Sequence, residues 1–253
     1  MTTRFSGKVV LITGGAGAIA RTTAQAFAAE GATVVLAGRD PARLADAAKH
    51  IQAEGGRADW VTADVTSPED SARMVDTTVQ RHGGLHAAFN NAGILGDFAP
   101  LADLDPASWS AVLDVNLTGV FLSMKYEIAH MKEHGGGAIV NMASNIGAHR
   151  RLAGLGAYAT SKAAVSALSK AAAREYAAHG IRVNAISPGA SDTAMTYRPG
   201  ETTADRDARI APEIPLGRVG DPAEIAAAVL WLACAESAFV AGHDLVIDGG
   251  ATA

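Results

Sequence analysis

Tyr158 and Lys162 lie four residues apart in the chain, and their side chains are a phenol and an ammonium group. If this segment is helical, both side chains occupy one face of the helix. A tyrosine normally titrates near ~10, and a cation within about 4–6 Å typically lowers that pKa by roughly 1–3 units. The spacing therefore predicts an activated tyrosine that acts as a general acid or base.

The same spacing also arises by chance, so the pair needs support from other residues. With four tyrosines and six lysines in 253 residues, about 0.1 such pairs are expected at random. A surface Tyr and Lys that share a helix face by accident is the alternative interpretation. Ser144, a short loop upstream, adds a hydroxyl group to the candidate site.

Seven short apolar runs alternate with longer Ala-rich runs of helical character, so the reactive residues belong to an α/β chain. Strands separated by helix-length segments need crossover connections, which makes the sheet parallel and covers both of its faces with helices. The predicted fold is a single-domain, doubly wound, Rossmann-type α/β fold with a seven-stranded parallel sheet. The predicted strands are Val9–Ile12, Thr33–Leu36, Ala58–Thr62, Ala87–Phe89, Ala138–Asn141, Arg182–Ile186 and Leu245–Ile247.

One domain is expected over residues 1–253, because no repeat, charge run or low-complexity linker interrupts the pattern. Glycines such as Gly83 and Gly180 fall where a helix should end before the next strand. Residues 195–215 form the one long stretch without clear periodicity. Long loops in compact domains tend to be functional, so this stretch is predicted to close over a substrate.

The first predicted strand leads into a turn of small residues, Thr13–Ala20, that opens a helix. Small side chains allow backbone N–H groups and the positive helix terminus to approach a pyrophosphate. Gly14, Gly17, Ala18 and Ile19 are therefore candidate dinucleotide-binding residues. The alternative is an ordinary tight strand-to-helix turn, which also favours glycine.

Arg39 follows the second predicted strand, where an NAD-binding site usually has an acidic residue facing the ribose 2′-hydroxyl. Gly38 has no side chain for that role, whereas the Arg39 guanidinium group suits a 2′-phosphate. NADP(H) is therefore the predicted cofactor, with NAD(H) as the second possibility. The alternative is that Arg39 is a solvated turn residue or stacks on adenine.

Taken in order, the motifs of the chain resemble those of the short-chain dehydrogenase/reductases, from Phe5 to Gly250. They further resemble the branch that contains β-ketoacyl carrier-protein reductases and many alcohol dehydrogenases. Ala18 and Ala20 depart from the family pattern, which has glycine there. Their methyl groups could crowd the pyrophosphate or the helix packing and so weaken cofactor affinity, but cofactor binding is expected to survive, because alanine is the least intrusive replacement. The matching segments are Asn90–Gly93, Val115–Gly119, Ser144, Tyr158 with Lys162, Pro188–Gly189 with Thr193, Pro215–Arg218 and Asp221–Ile225.

The resemblance implies an oxidoreductase that interconverts a ketone and a secondary alcohol with a nicotinamide cofactor. It implies that Tyr158 exchanges a proton with the substrate oxygen, that Lys162 lowers the tyrosine pKa, and that Ser144 stabilises charge on that oxygen. It also implies that Lys162 contacts the nicotinamide ribose and that Asn116 holds a water molecule connecting Lys162 to solvent. The other implied cofactor-binding residues are Asp64, Val65, Asn91, Ala92, Gly93, Pro188, Gly189 and Thr193.

Several of these residues also have a purely structural interpretation. Ser144 could make a local turn hydrogen bond, Asn116 could cap or kink its helix, and Asn90 could tie neighbouring strands together. Asp64 could cap the helix that follows it. Four further polar residues are expected to be solvated rather than to bind substrate, namely His149, Arg198, Arg206 and Arg209.

The composition argues against several other kinds of protein. A net charge of −5 without any Lys/Arg block is unsuited to nucleic acid or to an anionic membrane. Cys234 is the single cysteine, so neither an intrachain disulfide nor a thiolate metal cluster is expected, and a reduced, cytoplasmic setting fits. The segment Met1–Lys8 lacks a signal-peptide apolar region, and the apolar stretch Ile225–Ala235 is too short to cross a bilayer, so a soluble protein is predicted.

The predicted partners are a small carbonyl or alcohol substrate and further copies of the chain. Residues 157–178 and 223–235 form Ala-rich helices that can pack closely against one another, and members of the family commonly form tetramers on such helices, so a homotetramer is expected. Two other functions compete with the oxidoreductase. A serine hydrolase would need a Gly-x-Ser-x-Gly motif, which this chain lacks, and a non-catalytic NADP(H) sensor or scaffold would not need the Tyr, Lys and Ser residues.

Overall fold

A computed structural model describes residues 3–253, and within them seven parallel strands form one sheet in the order β3-β2-β1-β4-β5-β6-β7. Met1 and Thr2 of the predicted 1–253 domain lie outside the described residues. The doubly wound, Rossmann-type prediction is confirmed, and the predicted strands differ from the observed ones by one or two residues at their ends. The strands are β1 Val9–Thr13, β2 Thr33–Gly38, β3 Arg57–Thr62, β4 Ala87–Asn90, β5 Gly137–Met142, β6 Ile181–Pro188 and β7 Asp244–Ile247.

Helices connect the strands and cover both faces of the sheet. A π-helical turn, Asp114–Thr118, joins the fourth helix to the fifth. The helix before the last strand begins with a capping box between Asp221 and Glu224. The helices are α1 Ala18–Ala29, α2 Pro41–Ala53, α3 Pro68–His82, α4 Pro106–Leu113, α5 Gly119–Glu133, α6 Asn145–Ala148, α7 Gly156–Tyr176, α8 Thr203–Ile210 and α9 Pro222–Ala233.

The central strands are buried on both faces, which explains why their sequences are continuously apolar rather than alternating. Val10 and Ile12 of β1 pack into the core layer beneath α1, α2 and α9. Val9 and Leu11 face the other layer, beneath α3, α5 and α7. Two hydrophobic layers therefore hold the sheet in place.

The order of strands reverses at β1, whose neighbours are β2 on one side and β4 on the other. Thr13, at the end of β1, is in register with Ala37 of β2 and Asn90 of β4. In sheets of this type, ligands bind outside the carboxyl ends of the strands at the point of reversal. The candidate residues should therefore gather around Thr13 and Asn90.

Residues 195–215 contain more regular structure than predicted. Helix α8 begins with a capping box in which Thr202 and Asp205 bond each other's backbone N–H groups. Its sequence, Thr-Ala-Asp-Arg-Asp-Ala-Arg-Ile, is mostly polar, so no apolar periodicity marks it as a helix. The prediction of an aperiodic loop is wrong for these eight residues.

Among residues 3–253, no helix is long and apolar enough to cross a lipid bilayer. Within the same residues, His, Cys, Asp and Glu side chains form no group of three or more that could hold a metal ion.

Candidate active site

Helix α7 holds Tyr158 and Lys162 one turn apart on its buried face, where only 8% and 2% of each residue is exposed. The Lys162 Nζ atom lies 5.8 Å from the centre of the Tyr158 ring. It donates a hydrogen bond of 2.7 Å to the main-chain carbonyl oxygen of Met142, the last residue of β5. The helical spacing predicted from the sequence therefore brings phenol and ammonium to the carboxyl end of the sheet.

Ser144 follows β5 and caps α6. Its Oγ atom accepts a hydrogen bond of 3.2 Å from the backbone N–H of Ile146, so the structural interpretation of this serine applies. Ser144 also lies near the phenol group of Tyr158 and favours its ionised form, which lowers the pKa of that group. The Ser144 hydroxyl group therefore interacts with both the backbone of α6 and the Tyr158 side chain.

Burial raises the pKa of Tyr158, and Ser144 only partly opposes that shift. The net shift is therefore upward, opposite to the predicted lowering, because burial outweighs the effect of nearby groups. Burial destabilises the Tyr158 phenolate by more than the Lys162 ammonium group, 5.8 Å from the ring centre, stabilises it. The hydrogen bond from Lys162 Nζ goes to the carbonyl oxygen of Met142 instead. Burial also lowers the pKa of Lys162, to about 8.

Asn116 lies in the π-helical turn between α4 and α5 and is fully buried. Its Oδ1 accepts from the N–H of Ile94 at 2.8 Å, while Nδ2 donates to the carbonyl oxygen of Ile94 at 2.8 Å and to Ser161 Oγ at 3.1 Å. The Asn116 side chain thus joins the π-helical turn to the segment after β4 and to α7. A Cβ atom added at Gly93 would lie 3.2 Å from Asn116 Oδ1 and 3.4 Å from Lys162 Nζ, so these three residues share one corner of the site.

The turn after β1 is shaped to receive a phosphate group. Gly17 precedes α1, and among residues 3–253 no side chain at this cap bonds the first N–H groups of the helix, which leaves them available to an anion. A Cβ atom at Gly14 would approach Asn91 Nδ2 to 2.8 Å, and one at Gly15 would approach Leu36 Cβ to 2.8 Å. The backbone can come this close only because both residues are glycine, so the residues present fit a dinucleotide.

The two alanines that depart from the family pattern lie in different surroundings. Ala18 is exposed to solvent at the start of α1, next to the half-buried Ile19. Ala20 is fully buried and its methyl group belongs to the core layer that α1 shares with α9. The core layer therefore accommodates the methyl group of Ala20.

Thr13 joins this turn to the end of β4. Its Oγ1 atom accepts hydrogen bonds from the N–H groups of Asn91 at 3.1 Å and Ala92 at 3.2 Å. The Asn91 side chain donates to the carbonyl oxygen of Thr13 at 3.1 Å. Asn90 donates to Asn141 Oδ1 of the adjacent strand at 3.0 Å, as its structural interpretation predicted. The floor of the crevice is thus braced by side-chain hydrogen bonds.

The end of β2 carries an exposed Arg39, whose guanidinium group makes no hydrogen bond or ion pair with the described residues. The neighbouring carboxylate of Asp40 is engaged elsewhere, because it caps α2 by accepting from the N–H groups of Ala42 and Arg43. The Arg43 side chain donates to the carbonyl oxygen of Ala16 in the glycine-rich turn at 3.3 Å. Arg43, four residues after Arg39, is a second cation at this end of the crevice that the sequence analysis missed.

Asp64 and Val65 follow β3 at the same edge of the sheet. The Asp64 Oδ1 atom accepts hydrogen bonds from the N–H and hydroxyl groups of Thr66 at 3.0 and 2.8 Å. Helix α3 is capped by Ser67, so the suggestion that Asp64 caps the next helix is wrong. Val65 is buried against Gly119, at the start of α5.

Pro188 ends β6, and the loop after it runs close to the start of α6. The Gly189 N–H donates to the carbonyl oxygen of Ile247 at 2.9 Å. A Cβ atom at Gly189 would meet Asp248 Cβ at 2.6 Å and Asn145 Nδ2 at 3.4 Å. Thr193, farther along this loop, is half-buried and accepts at its carbonyl oxygen from the N–H and hydroxyl groups of Thr196.

Exposed apolar side chains lie on the segments next to this site, and no sequence motif marks them. The Ala99 N–H donates to the carbonyl oxygen of Gly154 at 3.0 Å, which joins the segment after β4 to the residues before α7. The Phe98 ring lies against Gly154, and Leu101 lies against Gly156. Four large apolar side chains are exposed on these segments and on the loop after β6, namely Phe98, Leu101, Leu152 and Met195.

Three charged residues on the segments near this apolar rim are paired. Arg206 is only 2% exposed and binds Asp192 at 2.5 Å and Asp207 at 2.7 Å, with its guanidinium group 4.5 Å from the centre of the Tyr197 ring. The expectation that Arg206 is solvated is therefore wrong, because three neighbours enclose it. Arg209 pairs with Glu201, and His149 pairs with Asp244 of β7.

Comparisons with known proteins agree with this geometry. A family model described as enoyl-(acyl carrier protein) reductase matches residues 14–252. The chain is 41% identical to the cis-4-hydroxycyclohexanecarboxylate dehydrogenase of Sinomonas cyclohexanicum, over 98% of each protein. It is 38% identical to the cyclohexanol dehydrogenase of Acinetobacter sp. strain SE19, over 100% of this chain and 98% of the relative. The crystal structure of levodione reductase superposes with a TM-score of 0.93 at 34% identity, over 98% of each chain.

Family members at this level of identity are dehydrogenases and reductases that act on alcohols and carbonyl compounds with NAD(P) cofactors. The match covers nearly the whole length of this chain and of each relative. The chain belongs to the short-chain dehydrogenase/reductase family and is an oxidoreductase of CH–OH groups.

Proposed function

We propose that the protein interconverts a ketone and a secondary alcohol with NADP(H), using Tyr158 as the general acid and base. The observation that carries this proposal is the burial of Tyr158 and Lys162 one turn apart on α7, with Ser144 near the phenol group. Burial keeps the phenol protonated at neutral pH, which is the form that donates a proton during reduction.

During reduction, the Tyr158 hydroxyl donates its proton to the carbonyl oxygen of the substrate, and the same group accepts that proton during oxidation. The bound cofactor supplies the hydride to the carbonyl carbon, so that ketone, NADPH and one proton become alcohol and NADP⁺. Ser144 donates a hydrogen bond to the oxygen on which negative charge develops, an interaction typically worth roughly 2.7–4 kcal/mol. Lys162 is mostly charged at neutral pH and stabilises the phenolate that remains when Tyr158 gives up its proton.

The turn after β1 would hold the cofactor phosphates, and the adenosine end would lie along β2 and β3. Arg39 is exposed and free of described partners, and Arg43 lies beside the turn. The only carboxylate next to Arg39 in the chain, that of Asp40, is occupied at the cap of α2. Two cations and no free carboxylate at this place favour a 2′-phosphate over a 2′-hydroxyl group.

The substrate we propose is an uncharged alicyclic alcohol or ketone. Phe98, Leu101, Leu152 and Met195 give the open side of the site an apolar rim, and burying apolar substrate surface there is favourable. Arg206 and Arg209, two of the three arginines in residues 195–215, are engaged with carboxylates. Two of the relatives are named for six-membered-ring substrates. In this proposal residues 195–215 are the substrate-binding segment.

The experiment that tests the proposal follows cofactor absorbance while the protein is incubated with NADPH or NADH. The panel contains cyclohexanone, substituted cyclohexanones, a linear ketone, a keto ester and a sugar. Turnover of the cyclic ketones with NADPH supports the proposal. Tight NADPH binding without turnover of any compound would favour the sensor function instead.

A cytoplasmic homotetramer completes the proposal. The outer face of α7 presents the small exposed residues Ala167 and Ala171, and α5, which packs beside it, exposes Phe121. Small residues allow helices of neighbouring subunits to approach closely. Light scattering measures the mass directly, and a monomer at micromolar concentration would contradict this part.

A further inference from the structure

Asn145, the residue directly after Ser144, has a side chain that points away from the phenol group and toward the end of the chain. It is 4% exposed, and its Nδ2 atom donates a hydrogen bond of 3.2 Å to Asp248 Oδ2. The two residues are 103 positions apart in the sequence. A buried polar side chain normally requires such a partner, because an unpaired one costs free energy.

Asp248 is the centre of a small hydrogen-bond network. Thr252 Oγ1 donates to the same carboxylate oxygen at 2.7 Å, and the N–H of Gly250 donates to the other oxygen at 3.0 Å. Burial raises the pKa of Asp248, but these hydrogen bonds together with that of Asn145 outweigh it and hold the pKa below its usual range. The carboxylate is therefore ionised and holds its donors in place.

Gly189 lies against both members of this pair. A Cβ atom there would approach Asp248 Cβ to 2.6 Å and Asn145 Nδ2 to 3.4 Å. Three segments thus meet at one point: the segment after β5 that carries Ser144, the segment after β6 that carries Gly189, and the segment after β7 that carries Asp248. If one of these segments moves, the other two must move as well, because their atoms are already in close contact at Gly189.

The short helix α6 departs from regular helical geometry next to Ser144. Inside α6, Ile146 has a ψ of 99° and Gly147 has a φ of 156°, so two of its four residues are not helical. The N–H groups of His149 and Arg150 donate to the Asn145 carbonyl oxygen, the latter at 2.6 Å, the N–H of Gly147 donates to the Arg150 carbonyl oxygen at 2.8 Å, and the N–H of Ile146 donates to Ser144 Oγ. The Asn145 side chain adds a contact from the residue next to Ser144 to the segment after β7.

We propose that Asn145 and Asp248 are positioning residues for catalysis, and that their hydrogen bond sets the location of the Ser144 hydroxyl and of Gly189. This inference rests on the proposed role of Ser144. It assigns to Asp248, which follows β7, a part in aligning the active site from a distance. The segment also bonds residue Leu216, through the Gly249 carbonyl oxygen at 3.1 Å, next to the end of the substrate-binding segment.

An exchange of donor and acceptor tests the pair. Asn145→Asp brings two carboxylates together, whereas Asn145→Asp with Asp248→Asn restores an amide–carboxylate hydrogen bond in the reverse direction. The single variant is expected to lower kcat about ten- to hundredfold, and the double variant to recover most of that loss. Thr252→Val is the matched control, because it removes a hydrogen bond to the same Asp248 oxygen without touching Ser144 or Gly189, and it should change kcat less than about twofold.

The Ser144→Ala background separates positioning from general stability. If Asn145 acts through Ser144, Asn145→Asp should cost less than about threefold in kcat once the hydroxyl group is gone. An undiminished loss in that background would overturn the proposal, and so would a folded Asn145→Asp enzyme with normal kcat. If Asn145→Asp does not fold, Asn145→Leu, which has a similar volume and no donor, takes its place in both comparisons.

Amide hydrogen exchange provides a readout that needs no turnover. Peptides that contain residues 141–150 and 186–193 should exchange faster in Asn145→Asp, return to the wild-type rate in the double variant, and remain unchanged in Thr252→Val. Unchanged exchange in Asn145→Asp would refute the positioning pair. An inactive wild-type enzyme with these exchange differences would instead refute the proposed function and leave the pair supported.

Discussion

Lys162 and Met142 are joined by a hydrogen bond of 2.7 Å from the side-chain Nζ to the main-chain carbonyl oxygen. It ties the helix that carries Tyr158 to the strand that leads to Ser144, so the three candidate residues share one support. An ammonium group in this position costs stability, because burial lowers its pKa to about 8. A residue kept at such a cost is expected to serve the reaction rather than the fold.

Lys162→Met should therefore abolish turnover without lowering the stability of the fold at pH 7. The folded protein holds fewer protons at Lys162 than the unfolded chain between pH 8 and the ordinary value of 10.5. Wild-type stability should accordingly rise with pH across that window and be lowest below it, and the variant should lack the rise. Urea unfolding of the wild type and of Lys162→Met at pH 7 and pH 10 measures the stability of each protein and its change with pH. A variant that is much less stable at pH 7 would show that Lys162 is a structural residue.

Arg39→Ala should raise the KM for NADPH about ten- to hundredfold and change the KM for NADH little, since only NADPH has the 2′-phosphate. The control is Lys49→Ala, which removes one exposed positive charge from the same part of the molecule, at the far end of α2. Steady-state kinetics with both cofactors checks the prediction. Equal effects of Arg39→Ala on both cofactors would contradict the NADP(H) preference.

Glu127→Gln should stabilise the protein at pH 8. Burial raises the pKa of Glu127 to about 7 from an ordinary value of 4.5, although Asn90 donates a hydrogen bond to it. The folded state therefore binds more protons than the unfolded state between these values, and wild-type stability should fall by roughly 3 kcal/mol as the pH rises through that window. The glutamine variant should lack this fall.

Thermal or urea unfolding of Glu127→Gln at pH 5 and pH 8 tests this prediction. Glu133→Gln, on an exposed position of the same helix, is the control and should leave the pH dependence of stability unchanged. A Glu127→Gln variant that loses stability between pH 5 and pH 8 as the wild type does would show that another group is responsible.

Arg206→Met should raise the KM for the ketone about tenfold, because the pair with Asp192 joins α8 to the loop after β6. Arg198→Met is the matched control, since Arg198 is exposed on the same segment. Substrate titrations at saturating NADPH measure the change. If Arg206→Met leaves this KM at the wild-type value, residues 195–215 do not form the substrate-binding segment.

The sheet could be predicted from the sequence because its strands are buried on both faces. Leu11 and Ile12 point to opposite core layers, and both must be apolar. Each crossover then requires a helix of predictable length. The positions of Ser144, Tyr158 and Lys162 followed in turn, since the ends of parallel strands and the period of a helix determine which side chains meet.

The features that could not be predicted depend on contacts between distant or polar residues. Helix α8 is held by a capping box and the buried Arg206, and neither has an apolar period. Asn145 and Asp248 meet only because β5 and β7 both flank β6. The raised pKa of Tyr158 depends on the extent of burial, which spacing alone does not report.

The central claim is that Tyr158 transfers the proton, and Tyr158→Phe tests it most directly because the ring and its packing remain. Tyr126→Phe is the matched control, since Tyr126 on α5 also lies beside a lysine, with Lys125 Nζ 5.3 Å from its ring centre. The rate of NADPH oxidation with a cyclic ketone and the Kd for NADPH are measured for both. We predict a loss of at least about 10²- to 10⁴-fold in kcat for Tyr158→Phe, with NADPH binding unchanged and Tyr126→Phe fully active. A Tyr158→Phe enzyme that keeps its kcat would contradict the account.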